Sequence, residues 1–471
     1  MHNVPEPSNH EPQSVNGLRR WAAVCVGISV GALLALTVLQ YVMPQTMESV
    51  LGLNYPGVRH FQHVLLGTSF PGISNRAFVL CFRFLLAVVW ISYALAVLAG
   101  LQGGILKLKS TLTLVVLVSI LLAFFWPASL SSDSYAYVAY ARMKVLYGQN
   151  PYTFVPASLH ALGDPSASFL VHNMPSSYSS VWTLLSVGVV SLLHSAGLWW
   201  QEVAMKLIEA AALVMAALAG RTIARHVSPG KENLALLAIG LNPLFLVEGP
   251  GNGHNDLLMM SLLLVGISLF LKKRYLLGSL LFGLSVGIKF VTIAIVPWII
   301  IEYCRGRRMR EKALLTLTVM SLAIAPAALC YVPFMRDASL FAGLHQRWAW
   351  GLSPSAAAQE AGVSHWLVQY GAPEPIARLG SIILTHWPLA AIIVGLSLWL
   401  WWRRAGGRWL AAWVILSGSM ILLTAGVWFP WYFIWPFAVS LTRWDRLHFN
   451  LSAVCFIMAL TQTMAYTVAP P

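Results

Sequence analysis

Asp133, His254, Asp256 and Lys289 each stand in or beside an apolar stretch, away from the charged clusters of the chain. A charged side chain near the middle of a bilayer costs about 2.5 to 3.5 kcal/mol on insertion scales, so residues of this kind carry a functional hypothesis with them. Asp133 lies in Ser131-Ser132-Asp133-Ser134-Tyr135-Ala136-Tyr137. A carboxylate there can take a proton from a sugar hydroxyl, which is general-base work, or it can cap a helix. Glu248 precedes the polar turn Gly249-Pro250-Gly251-Asn252-Gly253, and His254, Asn255 and Asp256 then open the next apolar run. Glycines permit the tight turn, and a helix N-terminus offers free N–H groups to an anionic or hydroxyl-rich ligand. Turn and cap roles account for the Gly, Asn and Asp residues but less well for His254 and Glu248. His254-x-Asp256 is weak evidence for a metal, since two ligands do not make a site. Lys289, in Gly287-Ile288-Lys289-Phe290, is the only basic residue between Tyr275 and Tyr303. It can snorkel to the headgroups or neutralise a lipid phosphate.

A wider set supplies stacking and hydrogen-bonding groups of the kind a carbohydrate needs: Arg142, Tyr147, Asn150, Tyr152, Tyr178, Trp182, Arg347, Trp348, Trp350, Trp431 and Tyr432. For any single Trp or Tyr, an interfacial aromatic belt is the plainer explanation.

These residues must be positioned by membrane helices. The chain is 58% hydrophobic and 10% charged, with a mean hydropathy of +0.71, whereas a soluble domain carries about 25% charged residues. Apolar runs near the roughly 20 residues that cross a bilayer recur along the whole length, and about thirteen crossings are expected. The net charge of +14 does not point to nucleic acid, because Lys and Arg fall in short clusters between apolar segments. By the positive-inside rule those clusters face the cytoplasm. The five cysteines stand singly in apolar runs, which indicates neither a disulfide framework nor a zinc site.

The expected organisation is an all-α polytopic membrane protein. Residues 1–18 read as a disordered cytoplasmic tail and 19–471 as a single membrane domain, its first span uncleaved. Segments 131–178 and 333–380 read as extracytoplasmic, carrying short interfacial helices and turns. Parity of the basic clusters requires one of the two runs 179–197 and 202–222, with 179–197 the first expectation, to be re-entrant or partly inserted, a state tolerated where the segment lines a protein cavity. Tyr275 to Tyr303 begins and ends beside basic clusters, which calls for a hairpin of two short helices with its tip near Lys289. The run 233–248 reads as one rising helix.

Taken in order, several motifs resemble a known family. They are Asp133-x-Tyr135-x-Tyr137 with Ala141-Arg142, Gly148-Gln149-Asn150-Pro151-Tyr152, Tyr178-x-x-x-Trp182, Asn242-Pro243-Leu244, Gly253-His254-Asn255-Asp256, Gly287-x-Lys289 and Pro430-Trp431-Tyr432-x-x-Trp435-Pro436. The series is similar to that of bacterial GT-C polyprenyl-phosphate-sugar glycosyltransferases, nearest the polyprenol-phosphomannose-dependent alpha-mannosyltransferases. The resemblance implies a GT-C-like bundle that transfers a hexose, with mannose the first expectation, from a polyprenyl-phosphate donor to a lipid-linked or glycan acceptor. It implies inversion, metal-independent or weakly metal-dependent transfer, and no cofactor beyond the donor, with a divalent metal left open. By matching position, Asp133 would be the base and Lys289 would contact the donor phosphate, while His254, Asn255 and Asp256 line the sugar pocket. Arg142, Tyr178, Arg347, Trp431 and Tyr432 complete the expected substrate-binding set. The expected location is a bacterial plasma membrane with the active face outside and no nucleic-acid partner. Two departures stand out: Asp133 follows three apolar runs where the family has one, and Tyr178-Ser179-Ser180 replaces the usual Tyr-Gly-Pro. The competing class is a transporter or flippase of lipid-linked sugars, which would favour internal repeats and a midplane site.

Overall fold

The structure is a computed structural model describing residues 13–41, 75–127, 131, 133–169, 174–335, 354–385, 387–402, 408–424 and 429–466. The described elements are helical. In chain order they are α1 (Gln13–Tyr41), α2 (Asn75–Leu101), α3 (Leu108–Phe125), α4 (Asp133–Tyr147), α5 (Ala157–Ala161), α6 (Ser180–Leu192), α7 (Leu198–Val227), α8 (Glu232–Gly240), α9 (Pro243–Leu246), α10 (Asp256–Leu271), α11 (Tyr275–Ile288), α12 (Val296–Cys304), α13 (Met309–Tyr331), α14 (Pro354–Gln369), α15 (Glu374–Thr385), α16 (Trp387–Trp402), α17 (Arg408–Thr424), α18 (Ile434–Ser440) and α19 (Arg446–Tyr466). In the interior, α7 packs along α3, α8 and α10, and α11 lies between α10 and α13. Helices α1, α2 and α13 leave Val38, Phe84, Ile91, Leu314, Leu317 and Leu329 exposed on outer faces, as lipid-facing helices do. The chain is a multi-pass integral membrane protein.

Among the described residues, six helices are long and apolar enough to cross a bilayer, or seven if α8 and Pro243–Gly251 form one span bent by 46°. The expectation of about thirteen full crossings is not met by helices of that length. Several apolar runs become helices of 10–17 residues packed among the others. Segment 179–197 is one of them, since α6 has 13 residues and reaches only about 20 Å at 1.5 Å per residue. The run 233–248 is likewise two pieces. Asn242 breaks it, its side chain accepting the Leu244 N–H, with Pro243 in the first position of the next turn. Helix α1 begins at Gln13, inside the segment expected to be a disordered tail.

The segment 275–303 folds back on itself. Helix α11 ends at Lys289, which is extended (φ −154°, ψ 126°), and a short 3-10 turn, Phe290–Ile295, leads into α12. At the other end the rings of Tyr275 and Tyr303 lie 5.7 Å apart and Arg307 donates to Tyr275 Oη at 2.8 Å.

The basic turns gather at one end of the bundle. Arg19 donates to the Ile105 carbonyl, Lys231 to the Leu101 carbonyl, and the Trp444 N–H to Ser228 Oγ. Those contacts tie together the start of α1 and the α2–α3, α7–α8 and α18–α19 connections. The ends of α3, α7 and α10 remote from these turns meet the N-terminus of α4, and the polar constellation forms there.

Candidate active site

Helix α4 begins at Asp133, where the Ser131 hydroxyl accepts the Asp133 N–H at 3.1 Å. The same hydroxyl lies 3.0 Å from His254 Nε2, so one serine links the start of α4 to the histidine of the glycine turn. Asp133 Oδ2 stands 3.9 Å from His254 Nε2, and its side chain is 19% exposed while the imidazole is fully buried. At the first turn of α4, this carboxylate lies beside the backbone N–H groups that have no partner within the helix.

The turn that carries His254 is held by its own backbone. Asn252, Gly253 and His254 donate to the carbonyls of Val247, Gly249 and Glu248. Gly253 is required, because its φ is +75° and a Cβ would meet Ser134 Cβ at 3.0 Å and Lys206 Cγ at 3.2 Å. Asn252 accepts from Trp126 Nε1 and donates to Glu248 Oε2, both at 3.0 Å. That carboxylate also approaches His254 Nδ1 at 3.0 Å, without the alignment of a hydrogen bond. On its face the imidazole stacks on Trp431 at 3.8 Å, and Trp431 stacks on Phe429 at 4.4 Å.

Asp256 opens α10 and is almost wholly buried. Both its oxygens receive Lys289 Nζ, at 2.7 and 2.9 Å, and Oδ1 also accepts Trp435 Nε1. The ammonium lies 5.1 Å from the ring of Tyr432 and 5.4 Å from that of Trp435, and its side chain is 28% exposed. Ser285 Oγ donates to the Met259 carbonyl and meets Thr292 Oγ1, which fixes the break in α11 against α10. Gly287 permits a close approach there, since a Cβ would sit 2.2 Å from Val181 Cγ2 on α6.

Tyr137 joins the two halves. Its hydroxyl meets the Asn255 N–H, and its ring takes Tyr178 and Trp182 edge-on at 4.6 and 4.9 Å. The structure therefore brings Asp133, His254, Asn255, Asp256, Lys289, Trp431, Tyr432 and Tyr178 into one wall. Asp133, Lys289, Tyr178 and Tyr432 reach accessible space, while His254, Asn255, Asp256 and Trp431 are buried behind it. The last four shape the wall rather than form its open surface. Asn255 Nδ2 has no hydrogen-bond partner among the described residues, which leaves a donor inside the wall.

Arg142 is committed elsewhere. Its guanidinium clasps Asp164 through Nε and Nη2 and reaches Gln201 Oε1 at 3.3 Å. Burial works to raise the Asp164 pKa, but Arg142, Ser166 and Tyr147 all bond its carboxylate and hold it below the usual range. Arg142 thus braces the segment after α4 instead of offering its charge to a ligand. Arg347, Trp348 and Trp350 lie outside the described residues.

Sequence reasoning quoted Ser131 and Trp435 within motifs without giving them a role, and it missed three buried charged residues of α7, Glu202, Lys206 and Glu209. The signal for the last three was present, because residues spaced by four and then three share one helix face. Among the described residues no group of three or more His, Cys, Asp or Glu side chains is arranged to hold a metal ion.

The sequence profile described as "Alpha-(1->6)-mannopyranosyltransferase, N-terminal domain" matches residues 26–305, more than half of the chain. Alpha-(1->6)-mannopyranosyltransferase A of Mycobacterium tuberculosis is 25% identical over 380 residues, covering 75% of this chain and 68% of the relative. Among solved structures, the crystal structure of the Archaeoglobus fulgidus oligosaccharyltransferase, a complex with zinc and sulfate, superposes with a TM-score of 0.41 at 14% identity. That match covers 76% of this chain, which spans about half (52%) of the archaeal one, and it is too distant to transfer residue roles.

Proposed function

The chain belongs to the alpha-(1->6)-mannopyranosyltransferase family, and on that premise we propose that it transfers a mannosyl residue from a polyprenyl-phosphate donor to a lipid-linked or glycan acceptor. The observation that carries the reading is a half-accessible carboxylate and a half-accessible ammonium on one aromatic wall, Asp133 and Lys289, 19% and 28% exposed. A phosphate leaving group develops negative charge that a cation offsets, and an acceptor hydroxyl needs a base on the opposite face of the sugar carbon. The acceptor oxygen attacks the anomeric carbon, its proton passes to Asp133, and the bond to the phosphate oxygen breaks on the far side, so configuration inverts. An ammonium has three donors, and Asp256 holds Lys289 while leaving capacity for a phosphate oxygen. Tyr178 and Tyr432 offer rings to the sugar. The reaction needs no cofactor beyond the donor.

The active face is proposed to be extracytoplasmic in a bacterial plasma membrane, since the wall lies at the end opposite the basic turns and those turns prefer the cytoplasm. The test has two arms. Protein reconstituted in liposomes should transfer mannose from polyprenyl-phosphate mannose with inversion and leave a nucleotide-diphosphate mannose untouched. Transfer from the nucleotide sugar would overturn the donor assignment. In intact cells, an impermeant maleimide should label Phe154→Cys and reach Lys272→Cys only after permeabilisation, both residues being exposed. The reverse pattern would overturn the orientation.

A further inference from the structure

Helix α7 is an apolar span that carries Glu202, Lys206 and Glu209 at 4%, 2% and 0% exposure. Charged groups buried in an apolar span are poor evidence of stabilisation, because well-packed apolar residues in the place of buried charges are often neutral or better by about 1 to 4 kcal/mol. Stability alone therefore does not explain them. The contacts do. Glu202 Oε1 receives the hydroxyl of Ser134, the residue after Asp133, at 3.5 Å. Lys206 Nζ donates to the carbonyl of Trp126, whose indole N–H holds Asn252 in the glycine turn. The Lys206 stem also packs beneath Gly253 in that turn. Glu209 Oε2 accepts the N–H of Leu258 at 2.9 Å, which caps α10 two residues past Asp256. Its other oxygen has no hydrogen-bond partner among the described residues.

The three residues share one face and span about 10 Å of the helix axis at 1.5 Å per residue. In that order they meet the helix of Asp133, the turn of His254 and the helix of Asp256. We infer that Glu202, Lys206 and Glu209 are positioning residues that set the relative height and aim of the base and of the Asp256–Lys289 pair. The inference rests on the proposed transfer reaction. It adds that one helix fixes the spacing between the group that takes the proton and the group that meets the phosphate. A displacement of about 1 Å in such a spacing can lower turnover on the order of a hundredfold. Donor affinity, set by the wall itself, should change far less.

The decisive variants remove the charges without leaving one unpaired. Glu202→Leu combined with Lys206→Met should melt in detergent close to wild type, yet lose at least about tenfold in kcat with the donor KM within about twofold. Glu209→Gln keeps an acceptor for the Leu258 N–H and should retain most of the turnover that Glu209→Leu loses. Wild-type kcat in the folded double variant and in Glu209→Leu would overturn the proposal. If the double variant does not fold, Ser134→Ala decides, since it deletes only the hydroxyl that meets Glu202. A several-fold fall in kcat at constant KM is expected, and unchanged kcat would overturn the role. The two readings fail differently: the stripe fails when variants turn over like wild type, and the donor assignment fails when wild type leaves polyprenyl-phosphate mannose intact.

Discussion

At the basic end of the bundle, Arg19 and Lys231 meet backbone carbonyls, and Arg443 meets Asp445, whose carboxylate is 41% exposed. At the opposite end, Asp256 is 1% exposed and binds Lys289 within 2.7 Å, while Asp164 is wholly buried against Arg142. The two ends carry similar residue types in different surroundings. Charges that touch water are screened and exchangeable, and their sum orients the protein in the membrane. Charges withdrawn from water must be paired and hydrogen-bonded to persist. The buried end therefore fixes geometry, and its few side chains that remain open are the ones we propose for chemistry.

Substitutions that cross this division should give effects graded by burial. Lys289→Met removes the cation proposed to offset the departing phosphate and should lower kcat about a hundredfold, measured as transfer from a polyprenyl-phosphate donor. An unchanged kcat would strip Lys289 of its role. Asp164→Asn leaves the Arg142 guanidinium buried without its counterion and should destabilise the protein by about 3 to 5 kcal/mol, visible as a lower melting temperature. Gly253→Ala forces a side chain into a φ of +75° and against Ser134. It should cost about 1 to 3 kcal/mol and lower turnover as well, because Ser134 adjoins Asp133.

The smallest effect belongs to the basic end. Burial tends to raise the Asp445 pKa, but the His448 N–H and ring, with Arg443, bring it to about 2. The folded value lies below the usual 3.8, so the contribution to stability is complete above that pH and is lost as pH falls toward 2. A thermal-melting series should place the extra acid sensitivity in that window and find it absent in Asp445→Asn. Turnover near neutral pH should be the same in both proteins.

The parts of the fold legible in the sequence were those fixed by local chemistry. Basic clusters at both ends of 275–303 required a fold-back, and the break falls at Lys289 because its extended backbone ends α11. The glycine turn was legible for the same reason, since Gly adopts the φ of +75° at position 253 without strain. Apolar length gave less. It cannot separate a helix that crosses from a short one buried among neighbours, so 180–192 and 233–248 depart from simple spans. Arg142 had the residue type of a substrate ligand, but Asp164 takes its guanidinium, and no local pattern announces such a pairing. The stripe on α7 was visible as spacing, yet its meaning depended on what packs against that face.

The central claim is that Asp133 accepts the acceptor's proton. Wild-type protein and Asp133→Asn, reconstituted at equal amounts with polyprenyl-phosphate mannose and a glycan acceptor, test it most directly in single-turnover transfer. Loss of a general base predicts a rate lower by about 10² to 10⁴, with both proteins melting alike. Equal rates would contradict the assignment and leave the wall without a base.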